Sequence, residues 1–265
     1  MSIEFMSEQI EQYQCDGFLF PIHVISASDA ESTRLAVQNV AWQCNIPLGR
    51  LPKLHEYFQW AYDLAVHPRL LDAVEKILGP DLIVWGTLVL SKEPGSRCMV
   101  PWHQDRAYAG FLQGTPSVSA WIALTPVTSE NGCLRVIRAS HGKLLPFTDK
   151  QEKDEMLSRG QRVVTEINEA DAVDIVLQPG DASLHDDTLI HGSNPNYSDG
   201  PRTGFIIRYA TPAMAQPKFP VFCVRGNAGA LLCQLPTTSH SGTDAYRRYV
   251  ESARSQNQGL GESEQ

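Results

Sequence analysis

In the first 80 residues, apolar positions recur with the period of an α-helix. They return every three or four positions, which is the spacing of an amphipathic helix packed on a core. Ser26, followed by Ser28 and Asp29, suits a helix N-cap, and Pro68 suits the first position of a helix that stops at Gly79. The pattern predicts helices near residues 10–17, 26–44, 54–65 and 68–78.

After Pro80 the pattern changes to short runs of β-branched, aliphatic and aromatic residues between Gly, Pro and Asn turns. The predicted strands cover residues 82–90, 117–124, 133–137, 173–177, 182–184 and 203–210. Since no long helix separates them, they are typical of an antiparallel barrel or sandwich of the jelly-roll kind. The fold class expected is therefore mainly β with a helical layer (α+β).

We expect one domain over residues 1–250, because 265 residues with 42% hydrophobic content can bury one large core. It would comprise N-terminal helices (1–80), a β core (81–215) and a C-terminal extension (216–250). Residues 251–265 are polar and are expected to be disordered. Residues 149–162 are charged and partly helical in pattern, and fit either a lid over the barrel or an ordinary solvated insertion.

Charge and cysteine usage limit the classes of partner. With 22 Lys and Arg against 30 Asp and Glu, the net charge of −8 disfavours binding to nucleic acid or to an anionic membrane. No apolar run is long enough to span a bilayer, and the first residues lack a secretion signal pattern. The six cysteines contain no CxxC pair, which suits reduced thiols. We expect a cytoplasmic protein that acts on a small molecule, and no pattern predicts its oligomeric state.

The segment 100–106, Val-Pro-Trp-His-Gln-Asp-Arg, carries the first candidate chemistry. On an extended segment alternate side chains share a face, so His103 and Asp105 would point together and Gln104 away from them. One imidazole and one carboxylate are two thirds of the 2-His-1-carboxylate facial triad that holds non-haem Fe(II). A third ligand must then come from a distant part of the chain.

His191 is the candidate for the third ligand. It follows an apolar run and precedes Gly192, which leaves room beside the ring. Ser193 lies two residues further on, and Arg202 begins the last strong strand. An arginine guanidinium pairs with a carboxylate, so a metal centre with Arg202 nearby suits an anionic co-substrate. Arg208, on the same strand, is the alternative arginine.

One competing ligand pair remains at this point. His185 and Asp187 form a second His-x-Asp pair. Unlike His103 and Asp105, this pair has no third candidate ligand at the end of another strand with an arginine after it. Gln104 flanks the ligands and is placed as a candidate for contact with the co-substrate. The segment after Asp105, with Tyr108, Phe111 and Leu112, is expected to form an aromatic wall of the substrate pocket.

These residues, in this order, resemble the phytanoyl-CoA dioxygenase family of Fe(II)- and 2-oxoglutarate-dependent oxygenases. The resemblance extends over most of the chain, and its further landmarks are Trp121-Ile-Ala-Leu, Glu130-Asn-Gly-Cys-Leu-Arg-Val-Ile, Ala139-Ser-His, Gln178-Pro-Gly-Asp and His191-Gly-Ser. It implies a double-stranded β-helix with iron held by His103, Asp105 and His191. It also implies that Arg202 and Ser193 bind the distal carboxylate of 2-oxoglutarate.

The resemblance implies a reaction class without a substrate. Three protein ligands leave three iron positions, two for 2-oxoglutarate and one for O2, and the co-substrate is converted to succinate and CO2. Halogenating relatives have Gly or Ala at the carboxylate position, so Asp105 favours hydroxylation or another oxygenation. A specialised metabolite is the expected substrate, and the acidic chain disfavours a coenzyme A thioester.

Two other functions remain open. A catalytically silent β-barrel would keep the metal for sensing or structure, although it would have no need for Arg202. A cupin-type iron enzyme would work without 2-oxoglutarate, although such sites usually draw more histidines from closely spaced positions.

Overall fold

The computed structural model of the protein describes residues 3–108, 115–214, 221–227 and 244–252. Its helices are α1 (Ile3–Asp16), α2 (Ala27–Cys44), α3 (Gln59–Ala65), α4 (Pro68–Leu78) and the short α5 (Asp105–Tyr108). Its strands are β1 (Phe18–His23), β2 (Arg50–Pro52), β3 (Leu82–Lys92), β4 (Val100–His103), β5 (Ser117–Ala123), β6 (Leu134–Ile137), β7 (Phe147–Asp149), β8 (Gln161–Val163), β9 (Ala172–Ile175), β10 (Asp181–Asp186), β11 (His191–Ser193), β12 (Arg202–Ala210) and β13 (Phe222–Arg225).

The strands form two antiparallel sheets and a hairpin. The larger sheet has the order β1-β10-β5-β12-β3-β13, with β2 also paired to β3. The smaller sheet has the order β4-β11-β6-β9, and β7 pairs with β8. Neighbouring strands such as β4 and β11 are far apart in sequence, as in a jelly roll. The predicted fold class, helices beside an antiparallel double sheet, is confirmed.

Strand β12 shows how the two faces of the larger sheet are used. Phe205, Ile207 and Tyr209 belong to the core that also contains the buried residues of α2, α3 and α4. Arg202, Ile206 and Arg208 alternate with them and face a cavity on the opposite side of the sheet. The helices therefore cover one face of the sheet and leave its other face to the candidate site.

The helix predictions succeed where a cap marks the boundary. Ser26 accepts a hydrogen bond from the Asp29 N–H at 3.1 Å at the start of α2, and Pro68 opens α4, which ends before Gly79. The predicted helix over residues 54–65 was wrong in its first half. Leu54–Glu56 is a 3-10 turn, and Phe58 is extended, so α3 begins only at Gln59.

The strand predictions miss the shortest strands. Three residues, as in β2, β7, β8 and β11, are too few to show an alternating pattern. The prediction of partial helix over residues 149–162 was wrong, because this stretch contains the ends of the β7–β8 hairpin joined by turns. Most of the predicted C-terminal extension and tail lies outside the described residues.

Among the residues that the structure describes, no helix has both the length and the apolar character needed to cross a membrane.

Gly204, in β12, makes room for the ring of Trp121. A Cβ atom at this position would lie 2.0 Å from Cζ2 of Trp121, so Gly204→Ala forces the indole or the backbone to move. We expect the free energy of unfolding to fall by about 1–3 kcal/mol, measured by urea denaturation followed by circular dichroism. Gly86→Ala on the adjacent β3 is the control, since nothing lies within 4 Å of its Cβ. Equal stability of the two variants would contradict this packing.

Candidate functional site

Two histidines meet where β4 pairs with β11. His103 is the last residue of β4, His191 is the first of β11, and their Cα atoms are directly paired. Their ring centroids are 4.1 Å apart. Gly192 permits this approach, because a Cβ there would lie 2.9 Å from the carbonyl oxygen of Val100. The short strand pair thus brings two imidazoles to one point.

The backbone fixes the orientation of both imidazole rings. Nδ1 of His103 lies 2.9 Å from the Pro101 carbonyl oxygen, and Nδ1 of His191 lies 2.9 Å from that of Leu189. A carbonyl only accepts, so each Nδ1 carries the proton and each Nε2 keeps a lone pair. This is the arrangement in which a histidine binds a metal through Nε2.

Asp105 completes the group by a route that the alternation argument did not predict. β4 ends at His103 and Asp105 begins the helical turn α5, so the two side chains do not share a face of one continuous strand. They converge nonetheless, since Oδ1 of Asp105 lies 3.8 Å from Nε2 of His103 and 4.0 Å from Nε2 of His191. All three residues are buried, and their ligand atoms lie within 4.8 Å of one another.

The charged form of Asp105 is held by its neighbours. Ser119 donates to Oδ2 at 2.7 Å and Nη2 of Arg208 donates to Oδ1 at 3.3 Å. Burial acts to raise the pKa of this carboxyl, but Arg208 and the surrounding histidines outweigh it and hold the pKa well below its usual range. Asp105 is therefore an ionised oxygen donor at neutral pH.

The two histidines are held in the neutral form. Burial lowers the pKa of His103 and, together with the neighbouring His103 ring, lowers that of His191 further. Two neutral imidazole nitrogens and one carboxylate, converging in a buried site, fit a divalent first-row metal, and this donor set is that of non-haem Fe(II) oxygenases.

The two residues of the second His-x-Asp pair, His185 and Asp187, have different partners and do not act together. His185 lines the same cavity, and its Nε2 lies 3.7 Å from Oδ2 of Asp105. Asp187 instead pairs with Arg106 at 2.8 Å. Within the described ranges, His103, Asp105 and His191 form the only group of three that fits a metal ion.

Arg202 is a buried cation beside this triad. It is 2% exposed and its guanidinium carbon lies 5.4 Å from the centre of the Trp121 ring. Nη2 donates to Oγ of Ser193 at 3.3 Å, while Nε has no hydrogen-bond partner in the structure. Burial lowers the pKa of Arg202 to about 10, so it remains charged at neutral pH. A buried guanidinium with an unpaired donor fits an anionic ligand.

Gln104 lies away from the cavity. Its side-chain N–H groups donate to the carbonyl oxygens of Lys143, at 2.9 Å, and Thr188, and its Oε1 accepts from the Leu145 N–H at 2.8 Å. These three contacts use the amide to hold loop backbone, so the structure does not bring Gln104 to the co-substrate position predicted for it.

Lys92 is a residue of the site that the sequence did not reveal. It is 1% exposed at the end of β3 and is the register partner of Arg202. Its Nζ donates to Oγ of Ser193 at 2.7 Å. The available signal was a lysine that ends an apolar strand, but such a lysine is usually solvated.

The cavity that joins the triad to Arg202 is mostly apolar. Besides the polar residues it is lined by Leu88, Leu90, Val100, Trp121, Leu134, Leu157, Gly192 and Ile206. Leu157 comes from the 149–162 stretch. Of the expected aromatic wall, Phe111 and Leu112 lie outside the described residues, as does the side chain of Tyr108.

Comparison with known proteins identifies the family. The model of the phytanoyl-CoA dioxygenase (PhyH) family matches residues 50–204, more than half of the chain. The chain belongs to the phytanoyl-CoA dioxygenase family. The resemblance drawn from the sequence landmarks is thus confirmed, and the matched range includes the triad, Ser193 and Arg202.

Two curated phytanoyl-CoA dioxygenases show how far the likeness extends. The peroxisomal enzyme of Homo sapiens is 29% identical over 148 residues, which cover 54% of this chain and 44% of the human protein. The enzyme of Bos taurus is 26% identical over 228 residues, covering 77% and 68%. The chain therefore spans less than half of the human enzyme and about two thirds of the bovine one.

A solved structure covers nearly the whole chain. The apo form of ThoJ, described as a non-heme monooxygenase, is 30% identical, with a TM-score of 0.74, and the match covers 93% of this chain and 98% of ThoJ. A nickel complex of ThoJ is 29% identical with a TM-score of 0.72, covering 95% and 98%. The double-stranded β-helix implied by the family is therefore confirmed.

Metal titration can distinguish the proposed ligand His191 from its neighbour His185. We expect His185→Gln to weaken Ni(II) binding by no more than the roughly 10–100-fold that loss of an outer contact to a ligand costs, and His191→Ala to weaken it further, because one of three donors is lost. Isothermal titration calorimetry measures both affinities. A loss in His185→Gln as large as that in His191→Ala would make His185 a ligand and contradict the assignment.

Proposed function

We propose that the protein is an Fe(II)- and 2-oxoglutarate-dependent dioxygenase that oxidises a C–H bond of a small molecule and releases succinate and CO2. The observation that carries the proposal is a buried His-Asp-His group in the same cavity as a buried guanidinium, Arg202, whose Nε has no partner. Membership of the phytanoyl-CoA dioxygenase family supports the same reaction.

Three residues would hold the iron: His103 and His191 through Nε2 and Asp105 through a carboxylate oxygen. Bound there, Fe(II) would supply the activation of O2 that oxidises both 2-oxoglutarate and the substrate. The protein keeps the donors ready through the Nδ1 hydrogen bonds of both histidines and through Ser119, which holds the second oxygen of Asp105. Burial of all three donors excludes bulk water.

Arg202 and Ser193 would bind the distal carboxylate of 2-oxoglutarate. Both line the cavity, and Arg202 makes no ion pair among the described residues. Arg208 already pairs with Asp105 at 3.3 Å and lies over the ring of Trp85. Of the two arginines, Arg202 is thus the one with a guanidinium that lacks an anion, which favours it as the carboxylate anchor.

The substrate would be a small molecule with an apolar portion, because aliphatic side chains such as Leu88, Leu134 and Leu157 line the cavity. A specialised metabolite fits this lining and the acidic chain. Asp105 occupies the carboxylate position, so we propose hydroxylation or a related oxygenation in preference to halogenation.

Succinate formation tests the proposal. Protein purified anaerobically and supplied with Fe(II), 2-oxoglutarate and O2 should form succinate slowly without added substrate, and His103→Ala should abolish this. Arg202→Met should raise the 2-oxoglutarate concentration needed by about tenfold or more, because charge-assisted hydrogen bonds to the carboxylate are lost. Succinate is measured by chromatography.

Arg34→Met is the control for the loss of an arginine, since Arg34 pairs with Glu31 on α2. It should leave succinate formation unchanged. If the wild-type protein binds Fe(II) but neither binds nor consumes 2-oxoglutarate, the oxygenase proposal fails. A metal-dependent binding or sensor protein, or a cupin-type iron enzyme, would then be the better description.

A further inference from the structure

We infer that Lys92 is a positioning residue that turns the Ser193 hydroxyl into a hydrogen-bond donor aimed at the co-substrate carboxylate. This inference rests on the proposed function, since it concerns the same carboxylate anchor. It assigns a role to a buried cation that neither lines the cavity nor contacts the metal ligands in the structure.

The Ser193 hydroxyl accepts hydrogen bonds from two basic side chains. Its Oγ lies 2.7 Å from Nζ of Lys92 and 3.3 Å from Nη2 of Arg202. Arginine and a protonated lysine, the form of Lys92 that a bound carboxylate would favour, only donate, and a hydroxyl has two acceptor lone pairs and one O–H. Both lone pairs are therefore occupied by cations. The O–H finds no acceptor in the part of the chain that the structure describes, so it is available to a ligand.

The Lys92 side chain donates to three acceptors of the protein. Besides Oγ of Ser193, Nζ donates to the Ser193 carbonyl oxygen at 3.3 Å and to that of Asn194. An ammonium has three N–H groups, and these contacts use all three. Lys92 thus has no donor left for the co-substrate and acts through Ser193.

An anion bound near Lys92 would strengthen the hydrogen bond between Lys92 and Ser193. Arg202 is its register partner, and among the described residues no carboxylate forms an ion pair with either cation. Burial, and then Arg202, lowers the pKa of Lys92 to about 6. A carboxylate placed between Ser193 and Arg202 would favour the charged ammonium and so strengthen its hold on Ser193.

A double-mutant cycle on affinity tests the inference. Lys92→Met, Ser193→Ala and the double variant are loaded with Ni(II), and binding of 2-oxoglutarate and of pyruvate is measured by calorimetry. Each single change should weaken 2-oxoglutarate binding about tenfold, and the double variant should be no worse than either. Pyruvate, which lacks the distal carboxylate, should bind each variant about equally. Lys53→Met, a lysine paired with Glu56, is the control.

The outcomes separate this inference from the proposed function. Additive losses in the double variant would show that Lys92 acts by its charge alone and would overturn the inference. Equal losses for pyruvate and 2-oxoglutarate would do so as well, since they indicate general damage to the site. If Lys92→Met does not fold, Ser193→Ala decides the question, because an unchanged preference for 2-oxoglutarate over pyruvate would overturn it. Failure of the wild type to bind 2-oxoglutarate would overturn the proposed function and this inference with it.

Discussion

The pairing of β4 with β11 is the constraint on which the site depends. It sets His103 opposite His191, and each ring is then oriented by a carbonyl of its own strand or of the turn before it, Pro101 or Leu189. A shift of register by one residue would send the His191 side chain to the other face of the small sheet. The metal group is thus a property of backbone pairing, and Asp105 needs only one tight turn after β4 to reach it.

The cavity between the two sheets concentrates positive charge. Asp105 is the carboxylate of the lining, while Arg202 and Arg208 face the same space and Lys92 lies behind Ser193. A divalent metal adds two further positive charges, and a dicarboxylate brings two negative ones. Because buried charges must be compensated, metal and co-substrate are expected to strengthen each other's binding in this site.

The sequence predicted what depends on local pattern or on family landmarks. Capped helices such as α2 and α4, and long strands such as β3 and β12, carry their pattern over nine or more residues, and their predicted bounds lie close to the observed ones. The sequence also singled out His191 and Arg202, which lie about 90 and 100 residues beyond His103 and line the same cavity in the structure. What failed was geometry over three or four residues, since the turn that carries Asp105 and strand β11 leave no periodic trace.

The sequence also failed to predict contacts between residues that are far apart in the chain. Gln104 was placed near the co-substrate by its neighbours in sequence, yet its amide is used by the backbone of Lys143, Leu145 and Thr188, which come from distant segments. Lys92 was passed over for the converse reason, because its acceptors at Ser193 and Asn194 are a hundred residues away. A side chain's role depends on what covers it, and the linear pattern carries little of that information.

The roles of the β12 residues that face the cavity limit where substrate selectivity can arise. Arg202, Gly204 and Arg208 lie on one face, where Arg202 fits the co-substrate, Gly204 admits Trp121 and Arg208 holds Asp105. Under the proposed function, both arginines of that face would be committed to the metal site and the co-substrate. Selectivity is left to the aliphatic lining, and Leu157, from the segment between β7 and β8, is its one contribution from outside both sheets among the described residues. Under the proposed function, variation in that segment would be expected to change the substrate without disturbing the metal ligands or Arg202.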